Sequence, residues 1–233
     1  MLRKGCLLAG ALLGTVLLLV LALGRLNEWM EPAMEPTIIQ RKGPLVLDAG
    51  HGGEDGGAVS ITGAPESEIN LSIVLKLRDV LGLYGVDPIL LREEDISLHD
   101  SNASTLREKK RSDLKNRVAA AEAVEGGTFL SIHQNTYPSG QYYGAHVFYA
   151  PTENSQPLAE HIQNSIKTAL QPDNERTVKQ IPDTVYIMNH ITCPAVLIEC
   201  GFLTNPEEEA LLRDQTYQRK LAAVIAAAWL TAP

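Results

Sequence analysis

Residues 45–57 read Leu-Val-Leu-Asp-Ala-Gly-His-Gly-Gly-Glu-Asp-Gly-Gly and join a short apolar strand to a glycine-rich turn. Glycine lets the backbone turn sharply and lets a ligand approach the chain closely. The turn carries one histidine, His51, which is well placed to reach a metal ion or a substrate. The segment therefore predicts a strand that leads directly into a binding site.

Apolar strands and amphipathic helices alternate along the rest of the chain. The pattern predicts strands at 45–47, 88–91, 128–132, 142–149 and 195–199, with 142–149 as a candidate edge strand. It predicts helices at 69–83, 113–124 and 157–170, and one or two more between 206 and 229. Ser112 is the expected N-cap of the helix at 113–124, and the polar residues 95–111 are expected to form an irregular surface segment. This alternation favours a single α/β domain with a mostly parallel, twisted central sheet flanked by helices.

Three of the predicted strands end in a polar side chain that could do chemistry. His51 follows the first strand, His133 follows Phe-Leu-Ser-Ile, and Glu199 follows Ala-Val-Leu-Ile. In open α/β sheets, ligands bind beyond the carboxyl ends of the strands. If these strands are parallel, the three side chains gather along one edge of the sheet.

These residue types fit a catalytic zinc site, which needs three protein ligands and a fourth position open to water. His51 and His133 are two candidates, and Glu66, at the start of the helix after the glycine turn, offers a third. Glu199 would then remain as a carboxylate that moves protons during amide hydrolysis. Spacing alone also permits structural histidines, and it permits Glu66 as an acid stabilised by the helix dipole.

The cysteines do not indicate a disulfide framework. Cys193 and Cys200 flank a predicted strand and are seven positions apart, which in an extended chain corresponds to about 23 Å. The Cα atoms of a disulfide lie within about 7 Å of each other, so these two thiols are expected to be free.

The N-terminus predicts a membrane segment. Arg3 and Lys4 precede an uncharged apolar run at 5–24, which is long enough to cross a bilayer. Acidic residues follow the run, so the positive-inside tendency places the rest of the chain at the extracytoplasmic face of the membrane. An uncleaved anchor is favoured over a cleaved signal peptide, which would give a secreted protein. The predicted organisation is an anchor or signal segment at 1–25, a linker at 26–43 and a catalytic domain at 44–233.

The charge balance excludes one class of partner. Beyond residue 25 the chain carries 17 basic and 28 acidic side chains, and the formal net charge of the whole chain is −8. Nucleic-acid binding usually requires a basic surface, so this chain is not expected to bind nucleic acid.

Four ordered motifs resemble those of the zinc-dependent N-acetylmuramoyl-L-alanine amidases, the family called Amidase_3. They are Leu-Asp-Ala-Gly-His-Gly-Gly, Glu-Ser-Glu-Ile-Asn-Leu, Ser-Ile-His-Gln-Asn and Pro-Ala-Val-Leu-Ile-Glu-Cys-Gly-Phe-Leu-Thr-Asn-Pro-Glu-Glu. The resemblance implies that His51, Glu66 and His133 bind Zn²⁺ and that Glu199 is catalytic. It implies hydrolysis of the amide between the lactyl group of N-acetylmuramic acid and L-alanine of the stem peptide in peptidoglycan.

The resemblance has finer features and departures. Arg92 and Asp95 resemble a Thr-Arg-x-x-Asp feature of the family, with Leu in place of Thr. Gln134 and Cys200 stand where other residues are usual; Gln134 could alter the substrate rim, and alternation should point Cys200 away from the zinc.

The short, anchored layout resembles the sporulation amidases of the spore cortex, in which peptide removal precedes muramic δ-lactam formation. Two alternatives are a membrane-tethered, non-catalytic peptidoglycan-binding domain and a zinc peptidase that cuts within the stem peptide. The sequence does not indicate an activator protein.

Overall fold

The computed structural model describes residues 43–233. The predicted membrane segment at 1–25 lies outside these residues, as does the predicted linker apart from Gly43. Within the described part, none of the helices combines the length and apolar character that crossing a bilayer requires.

Six strands of the described chain form one sheet. They are β1 (Leu45–Ala49), β2 (Ile89–Leu90), β3 (Thr128–Asn135), β4 (His146–Tyr149), β5 (Lys179–Gln180) and β6 (Ala195–Phe202). Their order across the sheet is β2-β1-β3-β6-β4-β5. Every neighbouring pair is parallel except β4 and β6. The predicted α/β domain with a mostly parallel sheet is therefore confirmed.

Helices cover both faces of the sheet. They are α1 (Glu66–Leu83), α2 (Leu106–Glu122), α3 (Ser155–Leu170), α4 (Tyr186–His190), α5 (Pro206–Arg213) and α6 (Gln215–Thr231). One core cluster joins Leu47 and Ile198 to α1, α3 and α6, and a second joins Val46 and Leu197 to α2 and α4. Because successive strand residues point to opposite faces, each central strand contributes to both clusters.

The start of α2 differs from the prediction. The helix begins at Leu106, so the expected surface segment is shorter, and its N-cap is Thr105 rather than Ser112. Thr105 and Glu108 form a reciprocal capping box, in which each side chain accepts from the other residue's backbone N–H. The first two turns of α2 are mostly exposed, so they lack the apolar periodicity from which a helix is predicted.

The strands also differ from the prediction at their ends. Strand β4 begins at His146, and β5, which was not predicted, pairs beyond it, so β4 does not lie at the edge of the sheet. Strands β3 and β6 each run three residues further than predicted. Cys193 and Cys200 are both free, as predicted.

Candidate active site

The three strand ends meet at one edge of the sheet, as the sequence predicts. His133 in β3 is the register partner of Glu199 in β6, and β1 lies on the other side of β3. His51 follows β1 and adopts a left-handed backbone conformation, with a φ of 64°. Such a conformation is uncommon outside glycine, and a residue keeps it only where the surrounding structure holds the backbone in place.

Glu66 joins the two histidines. Its Oε1 lies 3.0 Å from Nδ1 of His133, and its Oε2 lies 3.4 Å from Nε2 of His51. Each residue offers one ligand atom, and these three atoms all lie within 4.8 Å of one another. Among residues 43–233, this is the one group of at least three His, Cys, Asp or Glu side chains with such geometry.

The donor set of this group fits a zinc ion. Two imidazoles and one carboxylate form a ligand set found in catalytic zinc sites, which leave the fourth position open. Burial raises the pKa of Glu66, but the hydrogen bond and charge of His133, together with His51, lower the pKa further, to about 2. Glu66 is therefore ionised at neutral pH, as a metal ligand must be.

Glu199 lies beside the group with a different environment. Its Oε2 is buried and has no hydrogen-bond partner in the described part of the chain. Burial raises the pKa of Glu199 to about 7; nearby Glu66 adds to this effect, whereas His133 opposes it. A carboxyl group with a pKa near neutrality can both accept and donate a proton, which suits general acid–base catalysis.

Two glycines of the turn leave room for these side chains. A Cβ at Gly50 would lie 2.2 Å from the His133 ring. A Cβ at Gly57, where φ is +70°, would lie 2.6 Å from Oε2 of Glu66 and 2.7 Å from Cδ2 of His51. The glycine-rich turn therefore allows the backbone to pass against the three candidate ligands.

Comparison with known proteins places this site in a family. The family model described as N-acetylmuramoyl-L-alanine amidase, Amidase_3, matches residues 45–230. The chain belongs to this family. It is an N-acetylmuramoyl-L-alanine amidase, an enzyme that acts on peptidoglycan.

Individual relatives cover nearly the same part of the amidase. The chain is 34% identical over 216 residues to the germination-specific N-acetylmuramoyl-L-alanine amidase of Bacillus subtilis, covering 92% of this chain and 89% of that protein. The CwlD amidase from Clostridioides difficile, solved in complex with the GerS lipoprotein, is 40% identical with a TM-score of 0.77, covering 81% of this chain and 96% of that one. AmiC2 of Nostoc punctiforme is 27% identical with a TM-score of 0.68, covering 80% and 94%.

The amidase holds His51 through a carboxylate that the sequence analysis missed. Oδ1 of Asp55 lies 3.1 Å from Nδ1 of His51, and this hydrogen bond lowers the pKa of Asp55. An ionised Asp55 accepts a hydrogen bond from Nδ1–H of His51 and leaves Nε2 of His51, which faces Glu66, free to bind a metal. The signal was an aspartate four residues after the histidine, within the same turn.

A buried arginine supports the backbone of the turn, and sequence reasoning missed it too. Arg117 of α2 donates from Nη2 to the carbonyl of His51 at 2.7 Å and from Nη1 to that of Ala49 at 3.0 Å. It also pairs with Asp48 of β1 and, at 2.8 Å, with Asp113. The charge of Arg117 helps to keep the pKa of Asp48 low despite its burial. An aspartate inside an apolar strand was the available signal, because a buried carboxylate needs a partner.

Arg92 and Asp95, which the resemblance singled out, hold the same turn from the other side. Arg92 is buried and donates to the carbonyls of Ala49 and Ser67, both at 2.8 Å. Asp95 accepts from the backbone N–H of Gly53 at 3.0 Å. These contacts fix the start of α1 relative to the turn, and hence Glu66 relative to His51.

Of the two departures from the family pattern, one has a different effect from that expected. Gln134 is buried and donates to Oδ1 of Asn70 at 3.1 Å, so it does not form part of the substrate rim. Its backbone N–H donates to Oε1 of Glu66 at 3.1 Å. Cys200 is buried in the core cluster with α1, α3 and α6, and it points away from the site as predicted.

Proposed function

We propose that this amidase is zinc-dependent, with His51, Glu66 and His133 as its ligands and Glu199 as its proton-transfer group. The observation that carries the proposal is the convergence of the three ligand atoms, all within 4.8 Å of one another, beside the buried Oε2 of Glu199, which has no hydrogen-bond partner among residues 43–233. The domain at 44–233 is proposed to be the catalytic unit.

The chemistry divides between the metal and the chain. When bound, Zn²⁺ acts as a Lewis acid and lowers the pKa of water to about 7. Glu199 accepts a proton from the attacking water and then delivers it to the leaving nitrogen of L-alanine. The water oxygen is retained in the lactyl carboxylate, and the stem peptide leaves with a free amino terminus. Glu66, His51 and His133 keep their positions through the contacts described above.

The reaction is tested by identifying the new chain ends. The full-length protein should release stem peptides from purified peptidoglycan, and mass spectrometry should find intact N-acetylmuramic acid and free L-alanine N-termini. Chelation should abolish release, and one equivalent of Zn²⁺ should restore it. Cleavage between two stem-peptide residues would support the zinc peptidase instead. Activity that persists after complete removal of metal would contradict the zinc dependence.

We also infer a physiological setting from the relatives. The similarity to a germination-specific amidase supports action on the spore cortex, where stem-peptide removal would precede formation of muramic δ-lactam. A strain whose chain carries Glu199→Gln should then produce cortex that lacks the δ-lactam. Normal δ-lactam content in that strain would contradict this role.

The same relatives support a protein partner and a location. Because the CwlD structure contains the GerS lipoprotein, we infer that this amidase binds a lipoprotein at the extracytoplasmic face of the membrane, to which residues 1–25 anchor it. Purification of the tagged full-length chain from membranes should recover a stoichiometric lipoprotein. Recovery of the amidase alone under mild detergent conditions would argue against a stable complex.

A further inference from the structure

A row of side chains continues the active site beyond Glu199. Glu199 is aligned with His133 on one side and with His146 of β4 on the other. Further along, Asn135 is aligned with Phe202, so β6 contains one residue more than β3 over this stretch. Such a bulge shifts the alternation of side chains, and it turns Phe202 to the sheet face that carries Glu199.

Arg176 covers this part of the sheet. Its Cζ lies 4.8 Å from the centroid of the Phe202 ring, and its Nε donates to the carbonyl of Tyr143 at 2.9 Å. The next residue, Thr177, accepts a hydrogen bond from Nε2 of His146 at 2.9 Å. The arginine is therefore held beside the catalytic row by contacts to a ring and to the backbone.

The guanidinium of Arg176 has no ion pair with any Asp or Glu among residues 43–233, whereas the buried Arg117 is paired with two carboxylates. Glu208, a carboxylate on which the charge of Arg176 acts, is occupied, since its oxygens accept the backbone N–H groups of Gly144 at 2.9 Å and Phe202 at 2.8 Å. Arg176 can thus offer its planar pair of donors to an outside carboxylate.

An open cavity gives a ligand access to this guanidinium. The cavity has a volume of about 310 Å³ and is lined by Gln141, Tyr142, Tyr143, Asn174, Glu175 and Arg176. Tyr142 packs edge-on against Tyr137, with ring centroids 4.3 Å apart, and both rings are partly exposed. The cavity therefore combines an aromatic wall with one partly buried cation, Arg176, and one exposed acid, Glu175.

The charged groups of the substrate lie on only one side of the scissile amide, in the stem peptide. The glycan carries no charge once the lactyl carboxyl is in amide linkage, whereas the stem peptide carries free carboxylates. The chain beyond residue 25 has an excess of acidic residues, 28 against 17 basic ones, so an anionic peptide needs an unpaired cation for a favourable contact. Charge complementarity thus places the stem peptide, rather than the glycan, over Arg176.

We propose that Arg176 binds the carboxylate of the second stem-peptide residue and makes the amidase prefer acidic stem peptides to amidated ones. Glu199 and Phe202 are aligned with His133 and Asn135, which are two residues apart in β3, so the span between them along the sheet is about 7 Å. Two extended residues of the peptide span about 7 Å, so this carboxylate comes within reach of a side chain above Phe202. The inference rests on the proposed function of Glu199 and extends it to substrate choice.

The test compares two synthetic disaccharide–peptide substrates that differ only at the second residue, which carries a free α-carboxylate in one and an α-carboxamide in the other. With the full-length protein, kcat/KM should favour the carboxylate roughly tenfold, as expected of a charge-assisted pair of hydrogen bonds. Arg176→Gln should reduce this ratio to about one by losing only the acidic substrate's advantage. Arg176→Lys should keep part of the preference for the carboxylate substrate. Arg219→Gln, which removes an exposed cation from α6, is the matched control and should leave the ratio unchanged.

The ratio separates recognition from folding. A partly misfolded Arg176→Gln protein would lose activity on both substrates equally, and an unchanged ratio in its remaining activity would overturn the proposal. A wild-type protein without any preference would overturn it as well. A protein that cleaves neither substrate would instead contradict the proposed function, and the inference would fail with it.

Discussion

At the scale of single residues, the candidate site consists of three side chains that share a metal-ligand geometry and one that is kept apart from them. Glu66 is ionised because it accepts from His133, whereas Glu199 has a buried oxygen without a partner in the described chain. Two carboxyl groups on one sheet edge therefore have pKa values on opposite sides of the ordinary range. This separation gives each a different chemical task.

Asp55 is predicted to control metal affinity. Asp55→Ala removes the acceptor for Nδ1 of His51, so the imidazole loses its fixed orientation and tautomer. Zinc affinity should fall roughly 10–100-fold. Competition with a chromogenic chelator measures this change, with Asp183→Ala, an exposed aspartate, as the matched control. Equal affinities in the two variants would rule out the supporting role of Asp55.

Glu199 is predicted to lower the stability of the metal-free chain at neutral and higher pH. Its pKa rises from 4.5 in the unfolded chain to about 7 in the fold, so the unfavourable contribution is absent below pH 4.5 and complete above pH 7. Glu199→Gln should therefore raise the free energy of unfolding at pH 8 by up to about 3 kcal/mol, and should have little effect at pH 4.

Chemical denaturation of both chains in the presence of a chelator, at the two pH values, measures this difference. A pH-independent effect of Glu199→Gln would show that the carboxylate is not destabilised by burial. The stabilised variant should also be inactive, because it lacks the proton-transfer group.

The residues of the site differ in how far the sequence predicts them. The convergence of His51, His133 and Glu199 was predictable because each lies near the end of a recognisable apolar run. Asp55 and Arg117 were not, because their roles depend on which backbone carbonyls and nitrogens lie nearby in the fold. Local sequence offered only the spacing of Asp55 after His51 and an aspartate, Asp48, in an apolar strand, and neither signal specifies these contacts.

At the scale of elements, the glycine-rich turn and the start of α1 act as one unit. The turn brings the ring of His51 within 5.1 Å of that of His133, measured between centroids, and α1 begins early enough for Glu66 to reach both histidines. The tight approach of Gly50 to the His133 ring makes this arrangement sensitive to a single methyl group.

Gly50→Ala is predicted to abolish metal binding while leaving most of the fold intact. The added Cβ would lie 2.2 Å from the His133 ring, so the ring or the turn must move. Gly82→Ala in α1 is the matched control, since nothing lies within 4 Å of its Cβ position. The control should bind zinc normally and gain about 0.5–1 kcal/mol in stability, because alanine favours a helix. Isothermal titration with Zn²⁺ compares them, and normal binding by Gly50→Ala would contradict the geometry.

Element boundaries were the least predictable part of the fold. The sequence predicts every strand that carries a site residue, because those strands are apolar and end in turns. It misplaced the start of α2, where Thr105 rather than Ser112 is the N-cap. It also missed β5 and the bulge that reorients Phe202, since both depend on pairing between distant strands.

At the scale of the whole molecule, the proposed location places an acidic enzyme close to an anionic membrane and wall. The chain beyond residue 25 has 28 acidic and 17 basic side chains, so electrostatic attraction would not localise it. The predicted anchor at 1–25 is therefore expected to be the localising element.

Deletion of residues 1–25 is predicted to release the amidase from membranes without loss of catalysis. The full-length chain should sediment with the membrane fraction, and the shortened chain should remain in the supernatant with unchanged kcat on a soluble substrate. Sedimentation of both at high and low salt provides the control for weak electrostatic adsorption. Membrane association of the shortened chain at both salt concentrations would contradict the anchor.

The central claim is that His51, Glu66 and His133 hold one zinc ion while Glu199 remains unbound beside it. Anomalous diffraction at the zinc edge from crystals of the amidase tests this most directly. The account predicts a single peak coordinated by Nε2 of His51, a carboxylate oxygen of Glu66 and a ring nitrogen of His133, at about 2.0–2.2 Å. A peak elsewhere, or one that includes Glu199 among the metal ligands, would contradict it.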